Sequence, residues 1–307
     1  MFVSERIRID PAYRERLSAS RLDTVARVLS LTDGVIMAWS RTTDTLYVPG
    51  EGDTPGYYVK RHFFPTWGKR WRGALRGTFF AAHRGQREYR ALNAMRAAGV
   101  PAVRAVAYGE RRVGHFLAAC FLMTEEVPGA VNLTTFAQAV QDGRRELSPA
   151  QRQEMIRELA RALSEMHAHG VSHNNLFWRN ILVRPGPDGR AEFFLLDPQP
   201  LRAWERMGPR GAWRQPELAQ LAVSARLFSS RSDRLRFFKA YLGESRLAAS
   251  ARSWAGEVEQ VSPHDRAHEQ RRVRLNGLFA KWNAQLVAEQ RCWGESGLAR
   301  PTREAGA

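Results

Sequence analysis

Val171-Ser-His-Asn-Asn-Leu-Phe-Trp-Arg-Asn-Ile-Leu-Val183, followed by Arg184-Pro-Gly-Pro-Asp-Gly-Arg190 and Ala191-Glu-Phe-Phe-Leu-Leu-Asp-Pro198, is the most informative stretch of the chain. Residues 181–184 and 193–196 are short apolar runs, and Pro-Gly-Pro-Asp-Gly between them is a strong turn signal, so local rules predict a hairpin. Pairing the two runs puts Asn180 and Asp197 at its open end, where cross-strand neighbours lie about 5 Å apart. An amide oxygen and a carboxylate at that spacing suit one hard divalent cation such as Mg2+. Asn and Asp also commonly end strands, so the hairpin alone leaves both readings open.

Just before this stretch, residues 149–169 read as a helix. Ser148 is its N-cap, Pro149 takes the first helical position and Gln151 completes a capping box. Met155, Ile156, Leu159, Leu163 and Met166 form the apolar stripe, and Gly170 ends it. Upstream, residues 35–39, 45–48 and 56–61 read as short strands, and a short helix is expected within 17–31. The stretch 60–90 carries nine Lys or Arg (Lys60, Arg61, Lys69, Arg70, Arg72, Arg76, Arg84, Arg87, Arg90) against Glu88, interleaved with Phe63, Phe64, Trp67, Trp71, Phe79 and Phe80. Residues 86–98 form a helix with Tyr89, Leu92 and Met95 on one face, stopped by Gly99 and Pro101. A strand over 116–124 leads into the connector Glu125-Glu-Val-Pro-Gly129. Helices follow at 215–228, 233–242 and 266–289, the last with Val273, Leu278, Phe279, Trp282 and Leu286 as a docking stripe. Strands first and helices later predict an α+β fold: a small β-rich N-lobe with one main helix and a larger helical C-lobe. The expected division is 1–126 as N-lobe with an N-terminal extension, 127–250 as C-lobe with the loop above, and 251–307 as a C-terminal helical extension.

The chain has 307 residues, of which 44% are hydrophobic, enough for a real core and against wholesale disorder. Cys120 and Cys292 are its two cysteines, which argues against a disulfide framework and fits a reducing compartment. No apolar run reaches the ~18–20 residues a membrane span needs, and the N-terminus is charged where a signal peptide is apolar. A cytoplasmic location is the expectation. Lys and Arg number 47 against 31 Asp and Glu, a net charge of +16, which calls for an anionic partner unless it reflects an Arg-rich coding bias. No zinc-finger spacing or RNA-recognition aromatic motif is present, so no nucleic acid is expected.

His173-Asn-Asn-Leu-Phe-Trp-Arg-Asn-Ile-Leu182, then Asp197, resembles the protein-kinase pattern H-x-D-L-x-x-x-N-[IL]-L with its later metal-binding Asp. The departure is Asn175, which stands where the pattern has its catalytic Asp. Lys60 in Tyr57-Tyr-Val-Lys60 resembles the phosphate-holding strand lysine, and Glu88 its ion-pair partner. No G-x-G-x-x-G is formed around Gly50, Gly52 and Gly56. Glu217 stands where the kinase pattern has an anchoring Asp. Val59-Lys-Arg61, Pro65-Thr-Trp67, Arg76-Gly-Thr-Phe-Phe80, Ala98-Gly-Val-Pro101, Thr124-Glu-Glu-Val-Pro-Gly129 and Ser232-Asp-Arg-Leu-Arg-Phe-Phe-Lys-Ala-Tyr-Leu242 narrow the resemblance. In this order they look like the bacterial lipopolysaccharide kinase family of core heptose and 3-deoxy-D-manno-octulosonic acid kinases, over roughly residues 35–242.

That resemblance implies a bilobal protein-kinase-like fold, ATP and Mg2+ as cofactors, and phosphorylation of a lipopolysaccharide core sugar or similar anionic glycolipid. It also implies peripheral contact with the anionic inner face of the inner membrane, which the basic and aromatic residues of 61–90 suit. Packing of those aromatics into the small lobe is the alternative. By the same resemblance Lys60 clamps ATP phosphates, Glu88 orients Lys60, Asn180 and Asp197 hold the metal, and His173 braces the loop. Asn175 cannot act as a base, because an amide does not take up a proton near neutral pH, but it can orient a hydroxyl. A pseudokinase that binds or scaffolds without turnover is therefore the competing expectation.

Overall fold

The computed structural model describes residues 2–75, 82–186, 190–199, 214–260 and 262–275. Six strands, β1 (Val3–Ile9), β2 (Val35–Trp39), β3 (Thr43–Val48), β4 (Tyr57–Phe63), β5 (Ala105–Val113) and β6 (Phe116–Glu125), form one antiparallel sheet in the order β1-β5-β6-β4-β3-β2. The charged stretches of β1 and β5 hid them from sequence reading. They are adjacent in the sheet, and Glu5 meets Arg111 across it at 2.6 Å.

The helix expected within 17–31 is two short ones, α1 (Arg14–Ala19) and α2 (Val25–Leu29). The break follows from Arg21 at φ 56° and from Thr24, whose side chain caps α2 by accepting from the Arg27 N–H. Leu17, Leu22, Val25 and Val28 pack with Val59, Val106, Phe121 and Met123 in a core on this side of the sheet. Arg61 is buried there. Its guanidinium donates to both Asp44 carboxylate oxygens at 2.8 Å and to the carbonyls of Val28, Leu29 and Leu31. Multiple charge-assisted bonds offset the desolvation of such a group.

Two further helices sit against this sheet, α3 (Trp67–Gly73), capped by Thr66, and α4 (Arg84–Ala97), capped by the His83 ring. Gly99, at φ 75°, turns the chain out of α4 as the sequence predicts. Val103 N donates to Leu195 O and Leu195 N to Pro101 O, each at 3.0 Å, so the segment after α4 is bonded directly to the second sheet.

That sheet is β7 (Val131–Asn132), β8 (Ile181–Pro185) and β9 (Ala191–Leu195). The predicted hairpin is β8–β9, with Ile181 opposite Leu195. Around it lie α5 (Leu133–Gln141), α6 (Pro149–Ala168), α7 (Arg214–Phe228), α8 (Arg231–Leu242) and α9 (Ala249–Val258). The α6 capping box is present in full. Leu92, Met95 and Val100 share one core with Leu163, Met166, Ile181 and Leu195, so apolar packing runs unbroken from α4 into the helical lobe. The chain is helical again over 263–275, starting three residues before the expected 266, and the rest of the expected helix, 276–289, lies outside the described residues. Leu278, Phe279, Trp282, Leu286 and Cys292, with Arg76, Phe79, Phe80 and the turn at 187–189, lie outside the described residues. Among those described, no helix is long and apolar enough to cross a membrane.

Candidate active site

Lys60 sits on β4, a strand whose neighbouring Val59 and Arg61 are buried on the opposite face. Its ammonium reaches two carboxylates distant in sequence: Glu88 Oε2 at 3.2 Å from α4, and Asp197 Oδ1 at 2.6 Å just past β9. Arg84 Nη2 adds a second cation 3.5 Å from Asp197 Oδ1. Burial pushes the Glu88 carboxyl up, against the pull of Lys60. Burial opposes the Asp197 charge too, but the charge and hydrogen bond of Lys60, with Arg84 behind it, win and hold Asp197 below the usual carboxylate range. Asp197 is thus the carboxylate kept ionised.

The loop before Asn180 is held from several sides. His173 is fully buried, its Nε2 3.0 Å from Leu196 O, while its own carbonyl accepts from Gln199 N at 2.8 Å. Burial lowers the His173 pKa and keeps the ring neutral, so Nε2 carries the proton that it donates to Leu196 O. Glu217 of α7 accepts from Ser172 Oγ and from Asn174 N at 2.8 Å, and its other oxygen lies 3.1 Å from His167 Nε2. His167 Nδ1 is 2.6 Å from the Tyr241 hydroxyl. Desolvation works against the Glu217 charge, yet the bonds from His167 and Ser172 keep its pKa below normal. The longer acid at 217 reaches the same loop that a shorter Asp would anchor. Asn174 takes φ 52°, a conformation Asn tolerates and the Glu217 bond fixes.

Asn175 Nδ2 donates to Asp197 O at 3.1 Å and to Asp197 Oδ2 at 3.2 Å. Both partners are acceptors, so the amide nitrogen is the end that faces Asp197. Asn180 Nδ2 donates to Asn175 O at 2.8 Å, which leaves its amide oxygen as the end available to a cation. Asn180 O accepts from Leu196 N at 3.0 Å, closing the open end of the hairpin. One ionised carboxylate and one amide oxygen there form a hard-oxygen donor set that fits a divalent cation. Lys60, Glu88, Asn175, Asn180 and Asp197 thus meet at one place, and His173 is hydrogen-bonded to Leu196, the residue before Asp197. Arg84 was not singled out in the sequence, where it is one cation in a basic run.

The lipopolysaccharide kinase (Kdo/WaaP) family model matches residues 32–241, a span that contains every one of these groups. The chain belongs to this family. Family membership makes it a phosphotransferase. It is 32% identical over 193 residues, 62% of this chain and 71% of the relative, to the lipopolysaccharide core heptose(I) kinase WaaP of Pseudomonas aeruginosa. Among solved structures it is similar to WaaP in complex with acyl carrier protein, with a TM-score of 0.57 and 24% identity over 83% of this chain and 98% of that one. The two-lobed kinase-like fold expected from the sequence is the fold found. Residues before 32 and after 241, including α1, α2, α9 and the helical stretch at 263–275, lie outside the family match.

Proposed function

We propose that this chain transfers the γ-phosphoryl group of Mg-ATP to a sugar hydroxyl of the lipopolysaccharide inner core, on heptose or 3-deoxy-D-manno-octulosonic acid. The observation that carries this reading is the Lys60 ammonium held between Glu88 and Asp197, partners 28 and 137 positions away in sequence. Phosphoryl transfer passes through a loose transition state and depends mainly on positioning and charge neutralisation. Lys60 and Arg84 supply fixed positive charge for ATP phosphates, and Glu88 holds Lys60 in place. Asn180 and Asp197 would hold a divalent cation, which would supply charge neutralisation to the transferring phosphates.

Asn175 decides how fast the reaction runs. General base catalysis contributes about 10²–10⁴-fold, and an amide cannot supply it. Its place beside Asp197 lets it orient an acceptor hydroxyl, so a slow kinase is the reading supported best. The same Asn175 favours a second reading, a nucleotide-binding scaffold without turnover. An assay with purified protein, Mg-ATP and a lipopolysaccharide-core acceptor separates them. Phosphorylated acceptor that disappears in Lys60→Met supports the kinase. Mg-ATP binding without product supports the scaffold, and no nucleotide binding overturns both.

The place of work is the anionic inner face of the inner membrane. Trp67 and Trp71 are 45% and 56% exposed, each resting one side on Phe116, with Lys69 beside them and Arg70 stacked over Trp67 at 5.0 Å. Exposed indoles next to cations suit a headgroup region.

A further inference from the structure

We propose that Glu269, beyond the family match, is a positioning residue for the metal-binding end of the catalytic loop, so that the helical stretch 263–275 completes the site. This deepens the kinase assignment above and rests on it. Glu269 is only 2% exposed. Its Oε2 accepts from Arg179 Nη1 at 2.8 Å and its Oε1 from Ser224 Oγ at 2.9 Å. Ser224 Oγ in turn accepts from Trp178 N at 3.3 Å, and the Arg179 guanidinium lies 4.0 Å from the centre of the Phe177 ring. One buried carboxylate therefore ties down Trp178 and Arg179, the residues directly before Asn180.

The geometry has a reason to exist beyond cohesion. A buried ion pair adds little net stability, because desolvation takes back most of the Coulomb gain, and apolar residues of similar size would pack as well. What such a pair supplies is a fixed direction. The turn Trp178–Asn180 is 3-10, a tight form with poorer internal hydrogen bonds, and it depends on outside partners for its shape. Asn180 N donates to Phe177 O at 2.8 Å, so a shift of Phe177–Arg179 moves Asn180 with it. Lys60 and Glu88, on β4 and α4, share no bond with Glu269. Loss of the Glu269 carboxylate should weaken the metal side of the site and spare the lysine side.

The experiment is nucleotide binding by the full chain, followed by calorimetry in EDTA and then across a Mg2+ titration. It compares wild type with Glu269→Gln, which keeps volume and an acceptor for Ser224, and with Ser224→Ala, a milder change that leaves the ion pair. The expected result is metal-free nucleotide affinity within about twofold of wild type in both variants. The Mg2+ concentration giving half of the metal-dependent tightening should rise about tenfold in Glu269→Gln, the low end for losing a group that supports a metal ligand. Ser224→Ala should shift it in the same direction by less, and carries the comparison should Glu269→Gln not fold. Mg2+ titrations that superimpose on wild type, whatever happens to the melting temperature, overturn the inference and leave the kinase assignment standing. A wild-type protein whose nucleotide binding ignores Mg2+ overturns the assignment and the inference together.

Discussion

Asn175 is where single-residue chemistry matters most. Replacing it with Asp adds the missing base, but it also removes two bonds to Asp197 and sets two carboxylates about as close as the present 3.2 Å contact. Asn175→Asp should therefore raise turnover by about 10²-fold with Mg-ATP. It should also lower the melting temperature in EDTA, with a divalent cation restoring it. Turnover no faster than wild type would remove Asn175 from the rate-limiting role. Glu217 makes a second case. Glu217→Ala leaves the Ser172 hydroxyl, the Asn174 N–H and the His167 ring without their shared acceptor, at about 1–3 kcal/mol for each buried group. The expected loss is several kcal/mol in urea unfolding, and a loss under about 0.5 kcal/mol would show that the loop is anchored elsewhere.

At the scale of elements, β4 and α4 bring two buried histidines to the edge of the site. Burial lowers the pKa of His62 to about 3 and of His83 to about 4. Unfolded, both titrate near 6.5. Between those limits the unfolded chain binds protons that the folded chain refuses, so stability falls as pH drops from about 6.5 towards 4. Melting temperatures measured from pH 7 to 4.5 should decline, and His62→Gln should flatten the decline. An unchanged slope in that variant would assign the acid sensitivity to other groups. Helix α6 offers a simpler check. Its capping box joins Ser148 and Gln151, and Ser148→Ala should cost about 1 kcal/mol in unfolding free energy.

For the whole molecule, the proposed membrane contact can be tested through its net charge and its exposed indoles. A net charge of +16 favours anionic vesicles over neutral ones, and screening makes that preference salt-dependent. The double variant Trp67→Ala/Trp71→Ala should bind vesicles containing anionic lipid at least roughly fivefold more weakly in a flotation assay, the equivalent of about 1 kcal/mol. Equal binding by variant and wild type would place the contact elsewhere. The two lobes themselves are joined by more than a hinge. Bonds between Pro101–Val103 and Leu195, with a shared apolar core, tie the helix carrying Glu88 to the strand preceding Asp197.

The amino-acid order by itself determined the hairpin, the long capped helix and the kinase-like loop, and the resemblance to the lipopolysaccharide kinases is what pointed to Lys60, Glu88, Asn180 and Asp197. The first three rest on local signals: turn residues, caps, period and spacing act over a few positions, so they survive without a fold. It also exposed the odd residue, Asn175, because a chemical type is legible wherever it stands. Strands β1 and β5 stayed hidden because their charged residues mask the apolar pattern, and Glu5 of β1 meets Arg111 of β5 only once the sheet has formed. Arg84, one basic residue among many in its run, gained its place beside Asp197 only through folding, which set α4 against the end of β9. The kinase pattern already put Glu217 at an anchoring position, but its partners Ser172, Asn174 and His167, and the reach of Glu269 into Arg179, came only with folding. A buried carboxylate is defined by what is brought to it from 43 or 90 positions away, and no local pattern encodes that meeting.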